Sequence, residues 1–237
     1  MLNKVWQQQY GWFLVLLMAL IACLGWSWLV LAQFDYAYPL WYDWLDIGEH
    51  IKRFGRQNRF IHGLETLPVS EHVRLFADIC TAVHNGGAGL ADIQFVWKGN
   101  GQGLLRMPEI EHLQDVANLI DLMRNVVLVA SVVAVAGLLW LRRSSRPRLG
   151  LQAALLIGLV LVLGTIVLIV GPKAVFYQFH VWIFPENHQW FFYYQESLMS
   201  TLMKAPDLFG AIAVAIVVPG LMLFAALLVW LGRTQSR

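Results

Sequence analysis

Two histidines stand in surroundings that suit proton transfer. His112 and Asp115 lie three positions apart in Glu109-Ile110-Glu111-His112-Leu113-Gln114-Asp115-Val116, so on a helix both side chains point the same way. A carboxylate in reach of an imidazole fixes its tautomer and raises its basicity, which a general base near neutral pH needs. Glu109 and Glu111 are placed to serve the same partner role. His180 sits in Phe176-Tyr177-Gln178-Phe179-His180-Val181-Trp182-Ile183-Phe184, one imidazole among aromatic and apolar residues. Desolvation there lowers its pKa and leaves a neutral ring able to take or give a proton. Interfacial packing is the other reading of the same stretch.

Other chemistries find less support. There is no Gly-x-Ser-x-Gly elbow, and no His-x-x-x-His or Cys-x-x-Cys spacing, so no metal site and no cofactor are expected. Cys23 lies in an apolar run and Cys80 in a polar region, so the two are not expected to pair. That argues against a disulfide oxidase, which needs cysteine pairs. His50, His62, His72 and His188 fall in polar, aromatic loop sequence and read as solvent-exposed, and His84 beside Asn85 and Gly86 reads as a helix end. Asp121 and Arg124, also three apart, read either as an internal pair at the membrane edge or as groups that hold a lipid headgroup or carbonyl.

The elements that carry these residues follow from composition. With 58% hydrophobic and 14% charged residues, lipid is the expected solvent. A net charge of +2 gives no reason to expect nucleic acid as a partner. Crossing a hydrocarbon core of about 30 Å takes roughly 20 helical residues, and four runs qualify, at 11–32, 122–141, 149–170 and 209–231. The first run is too long for a signal core and leads into no small-residue cleavage site, so it reads as a retained anchor. Arg142, Arg143, Arg146 and Arg148 crowd the connector 142–148, which places it in the cytoplasm together with Lys4 and the terminal Arg233 and Arg237. Segments 33–121 and 171–208 then face outward, on a multi-pass protein of a bacterial plasma membrane with both termini cytoplasmic.

The first outer segment, about ninety residues long, has few continuous apolar runs and is expected to lean on the membrane surface. Phe34, Tyr36, Tyr38, Trp41, Tyr42 and Trp44 read as an interfacial aromatic belt. A helix capped by Ser70 should end at Asn85-Gly86-Gly87, a strand should cover Ala91–Trp97, and Lys98-Gly99-Asn100-Gly101 should turn the chain back toward Leu104. Pro108 then opens a helix that runs unbroken into the second span. His112 would stand roughly 15 Å beyond the hydrocarbon edge if that helix were upright. The expected fold is an all-α integral membrane protein, one domain over residues 1–237: a four-transmembrane-helix bundle with an extracytoplasmic cap that holds helices and a short β-hairpin.

Glu109 to Val116 resembles the Glu-Ile-x-His-Met-x-Asp-Val signature of the bacterial lipoprotein intramolecular transacylase family. Phe176 to Phe184, and Trp190-Phe191-Phe192 followed by Leu198 and Pro206-Asp207-Leu208-Phe209, are similar to further segments of that family. The four-span layout agrees over nearly the whole chain. Where the family pattern has a lysine after Asp-Val, this chain has Ala117. The resemblance implies an acyl shift in which the sn-2 chain of a diacylglyceryl-cysteine lipoprotein moves to that cysteine's free amine, leaving an N-acyl, lyso-form lipoprotein. It implies His112 as base oriented by Asp115, and His180 as acid or oxyanion stabiliser. Arg124, Asp121, Trp182 and Trp190 are the expected substrate contacts. The expected partners are the diacylated lipoprotein and membrane lipids, with the chain acting as a monomer. Two rival readings use the same layout: a lipid-ester hydrolase with the same histidines, and a non-catalytic membrane scaffold.

Overall fold

The computed structural model describes residues 2–144 and 146–235. Ser145 and Arg237, two residues of the predicted cytoplasmic ends, lie outside the described residues, as does the side chain of Lys4. Four helices are long and apolar enough to cross a membrane. They are α1 (Leu2–Ala32), α5 (Met107–Ser144), α6 (Leu149–Val170) and α9 (Asp207–Gln235). Between them come α2 (Tyr38–Trp44), α3 (Ile47–Gly55), α4 (Val69–His84), the hairpin β1 (Gln94–Trp97) and β2 (Asn100–Gly103), α7 (Pro172–Ile183) and α8 (Leu198–Met203). Contacts sort these elements into two compact units.

The first unit comprises Met1–Leu29, Met123–Phe176 and Ala215–Arg237. Its core joins Leu16, Ala19 and Leu20 of α1 to Ala134, Leu156, Phe224 and Leu231. Helices approach closely where side chains vanish. A Cβ on Gly25 would lie 2.1 Å from Val127, and one on Gly137 2.3 Å from Val15, the small-residue contact that lets helices associate without a hydrophobic drive between them. Several polar groups inside this unit find partners: Trp26 Nε1 donates to Ser131 Oγ at 3.1 Å, and Ser27 Oγ donates to the Ile216 carbonyl at 2.8 Å, three residues before Pro219. Gln152, 1% exposed, donates to the Gln9 carbonyl, while Gln9 in turn donates to the Arg146 carbonyl and accepts from the Arg148 amide. Each bond satisfies a group that hydrocarbon would leave stranded.

The second unit comprises Val30–Leu122 and Tyr177–Val214, and it has a core of its own. Leu64, Leu75, Ile79, Phe95, Leu198 and Leu202 are at most 2% exposed. The expected aromatic belt divides. Phe34 and Trp44 are exposed, but Tyr38 is fully buried, stacks on Phe76 at 4.0 Å and donates its hydroxyl to the Leu202 carbonyl. His72, read from sequence as exposed, is buried: its Nε2 donates to the Leu64 carbonyl at 2.8 Å, so its Nδ1 accepts from the Tyr42 hydroxyl, also at 2.8 Å. Burial holds its pKa below the ordinary value. His50 is likewise covered, by Phe54 and Tyr194, and burial, helped by the Lys204 charge, pushes its pKa down to about 4. His62 is exposed as read.

The local elements follow the sequence with small shifts. Helix α4 starts at Val69 with Pro68 as its cap, leaving Ser70 exposed within the first turn. Ala91 and Asp92 belong to a single 3₁₀ turn, so the strand begins only at Gln94. Trp97 pairs with Asn100 across the two-residue turn Lys98-Gly99, both at positive φ, the mirror-image turn whose twist matches a hairpin. Asp35, Tyr36 and Ala37 form a consecutive left-handed run, φ 47°, 55° and 58°, at a cost of about 1–2 kcal/mol per residue. Two contacts hold the run: Trp41 Nε1 donates to the Tyr36 carbonyl at 2.9 Å, and the Tyr36 hydroxyl meets His84 Nε2 at 2.6 Å.

Candidate active site

The two histidines and the side chains that touch them belong to the second unit. The start of α5 is fixed by Glu109, which is fully buried. At the third helical position it accepts the backbone N–H of Arg106 at 2.9 Å, as the acid of a capping box does. Its other oxygen accepts the Ser197 hydroxyl at 2.5 Å, and the Met199 amide adds a further bond. Arg106 Nε lies 3.3 Å away as counter-charge. Ser197 also caps α8 by accepting the Ser200 amide at 2.9 Å. One buried carboxylate therefore ties two helix starts together, and it is not the imidazole partner that the sequence suggested.

From that anchor the helix turns a buried stripe inward. Glu109, His112, Leu113, Ala117 and Ile120 are all at most 8% exposed and recur at helical spacing. Ala117 has no exposed surface at all, so the position offers a lysine no room in water. Gly171 at φ 93° ends α6 and Pro172 begins α7, whose last turn carries His180. The structure brings these two imidazoles together. Their ring centroids are 6.1 Å apart and tilted by 33°, although 68 residues separate them in sequence.

An aromatic box encloses the pair. Phe184 meets His112 edge-on at 4.8 Å and His180 at 5.1 Å. Trp190 covers His180 at 5.1 Å, and Phe192 covers His112 at 5.9 Å. His112 is 8% exposed and its Nδ1 has no hydrogen-bond partner among the described residues. That nitrogen is walled by the apolar rings of Phe184 and Phe192.

Two sequence expectations change here. Asp115 does not hydrogen-bond His112; its Oδ2 accepts from Nδ1 of His188 at 2.7 Å. The three-residue spacing put both groups on one helical face, but a loop histidine competes for the carboxylate and takes it. His188, expected in solvent, is consequently an ion-pair partner, and Asp115 holds its pKa above the ordinary value. The two tryptophans also part ways: Trp190 lines the box, whereas Trp182 is 76% exposed. Asp121 is exposed and Arg124 half-buried. Asp121 lies nine residues beyond His112, about 13 Å along the helix axis. Sequence reasoning missed Phe184, Trp190 and Phe192 as a box, although Trp190 was singled out. Their crowding between residues 184 and 192 was the available signal.

Fold and site together define an integral membrane protein in which two buried histidines from distant parts of the chain lie side by side. Residues 96–204, which hold the whole site, match the family model described as lipoprotein intramolecular transacylase Lit. That match covers a little under half of the chain. No curated protein matches it. Among solved structures it is similar to the membrane-integral lipoprotein intramolecular transacylase Lit from Bacillus cereus. A histidine-to-arginine variant of that protein gives a TM-score of 0.68 at 16% identity, covering 99% of this chain and 96% of the other. A second crystal structure gives 0.68 at 15% identity, covering 97% and 98%. At such identities the likeness speaks for the fold, an all-α membrane architecture with a small hairpin.

Proposed function

We propose that the chain moves the sn-2 acyl group of a diacylglyceryl-cysteine lipoprotein onto the free amine of the same cysteine. The observation that carries this reading is the buried pair, His112 and His180, within 6.1 Å of each other. Rings this close allow one ester group to meet both. The amine nitrogen attacks the ester carbonyl and an N–C bond forms. His112 takes the amine proton, His180 steadies the oxyanion or supplies a proton, and the C–O bond to glycerol breaks. The alkoxide receives a proton, so the products are an amide and a free sn-2 hydroxyl, and both imidazoles return unchanged. Because nucleophile and ester belong to one molecule, orientation removes much of the barrier.

The box of Phe184, Trp190 and Phe192 favours transfer over hydrolysis, since it keeps water from the ester. Asp121 and Arg124 serve in this reading as headgroup contacts and Trp190 as a wall for the acyl chain. Exposed Trp182 is assigned to lipid rather than to the bound substrate. The site works on the extracytoplasmic side of a bacterial plasma membrane, with both termini in the cytoplasm and one chain sufficient for activity. The test is co-expression with a diacylated lipoprotein and mass spectrometry of its N-terminal peptide. An acyl group on the amine with a free glycerol hydroxyl supports the reading. Loss of an acyl group to water would mean a hydrolase. An unchanged diacyl form, or a phenotype indifferent to His112→Ala and His180→Ala, would mean a scaffold.

A further inference from the structure

The segment 185–192 brings Trp190 and Phe192 to the imidazole pair, yet it has no helix or strand of its own to hold it there. Its internal bonds are local: His188 N donates to the Pro185 carbonyl, and Gln189 Nε2 to the Phe191 carbonyl. Among the described residues, one hydrogen bond ties this segment to another element, the 2.7 Å bond from His188 Nδ1 to Asp115 Oδ2 on α5. His188 lies near the middle of the segment, and Asp115 lies one helical turn from His112. A tether at that point fixes both flanking stretches, and with them the rings that shield the site.

We propose that the Asp115–His188 pair is a latch that holds residues 185–192 closed over the two imidazoles, which makes His188 a positioning residue. Its purpose rests on the acyl-transfer reading; its existence does not. The acids facing His188 are Asp115, which accepts its hydrogen bond, and Glu111 on the same helix. Both favour the imidazolium, so protonation of His188 turns the hydrogen bond into an ion pair and strengthens the latch. As pH rises through the raised pKa of His188 the charge is lost, one neutral hydrogen bond remains, and the segment opens more often.

Carbethoxylation by diethyl pyrocarbonate, read peptide by peptide in the mass spectrometer, reports how well His112 and His180 are shielded without asking for turnover. In the full-length detergent-solubilised protein, His188→Ala should raise modification of both histidines several-fold. His188→Asn, which keeps a donor near the Nδ1 position but cannot titrate, should leave them close to the wild-type rate. Asp115→Asn, which keeps its shape, should fall between. Once product formation is established, His188→Ala should lower kcat/KM for the lipopeptide. His188→Asn should restore most of it while abolishing the decline on the alkaline side. Unchanged carbethoxylation in His188→Ala, in a protein that still forms N-acyl product, would overturn the latch. Faster carbethoxylation with no N-acyl product from the wild type would instead keep the latch and remove the transacylase reading.

Discussion

If His112 and His180 act on one ester, removing either should cost nearly as much as removing both. A positioned acid or base contributes about 10²–10⁴ in rate, and a midpoint of about 10³ corresponds to roughly 4 kcal/mol at 1.36 kcal/mol per tenfold. The rings are 6.1 Å apart, so each alone lies within reach of the amine and of the departing oxygen, but the proton must leave one and arrive at the other in a single passage. His112→Ala and His180→Ala should then each lose about 10³, and the double variant about 10³ as well, because groups that act as a unit are not additive. Independent roles would multiply to about 10⁶. The assay is single-turnover conversion of a synthetic diacylated lipopeptide in proteoliposomes, with N-acyl product quantified by mass spectrometry and folding checked by thermal unfolding. A double variant worse than either single one by more than about tenfold (1.4 kcal/mol) would refute the shared passage. A single variant with undiminished rate would refute the site.

Other expectations follow from the same geometry. Phe184→Ala deletes the ring that touches both imidazoles; it should cost about 3–5 kcal/mol of stability and divert product from N-acyl lipoprotein to free fatty acid, a ratio that chromatography of released lipid reads directly. Ser197→Ala removes the hydroxyl donor to Glu109 and the cap of α8, a loss of about 3 kcal/mol; the melting temperature in detergent should fall by roughly 6–12 °C. His50 is held at about 4 in the fold, below the unfolded value of about 6.5. The unfolded chain therefore takes up that proton first, and stability present above pH 6.5 is lost as pH falls toward 4. His50→Gln should flatten that part of the melting-temperature profile. Ala37→Gly relieves one left-handed residue and should stabilise by about 1 kcal/mol, visible as a rise of a few degrees.

How far the sequence carried the structure depends on how local each signal was. Helix α5 was legible as one continuous element because Pro108 opens it and no further proline interrupts it, although it runs through Arg142 and Arg143 to Ser144, past the expected end at Leu141. The spans were legible because about 20 uncharged apolar residues leave few alternatives. The pairing of His112 with His180 was legible through the family resemblance, since spacing says nothing about a contact 68 residues away. What failed was the choice of partner. Asp115 and His112 share a face, but nothing local announces that a loop residue, His188, will reach the carboxylate first. His72 failed for a similar reason: a polar-looking helix residue became interior once the Tyr42 hydroxyl and the Leu64 carbonyl satisfied both ring nitrogens. Tyr38 looked interfacial because its type suits headgroups, and only tertiary packing on Phe76 drew it inside.

The second unit is assembled from two stretches of chain, Val30–Leu122 and Tyr177–Val214, with the rest of α5 and all of α6 between them. A nascent chain that has been synthesised as far as the connector after α5 already carries His112 but has no partner for it. Glu109 waits in the same way for Ser197. Biogenesis thus has a built-in order: a product truncated or stalled before residue 180 has neither its second imidazole nor the hydroxyl that closes the carboxylate anchor.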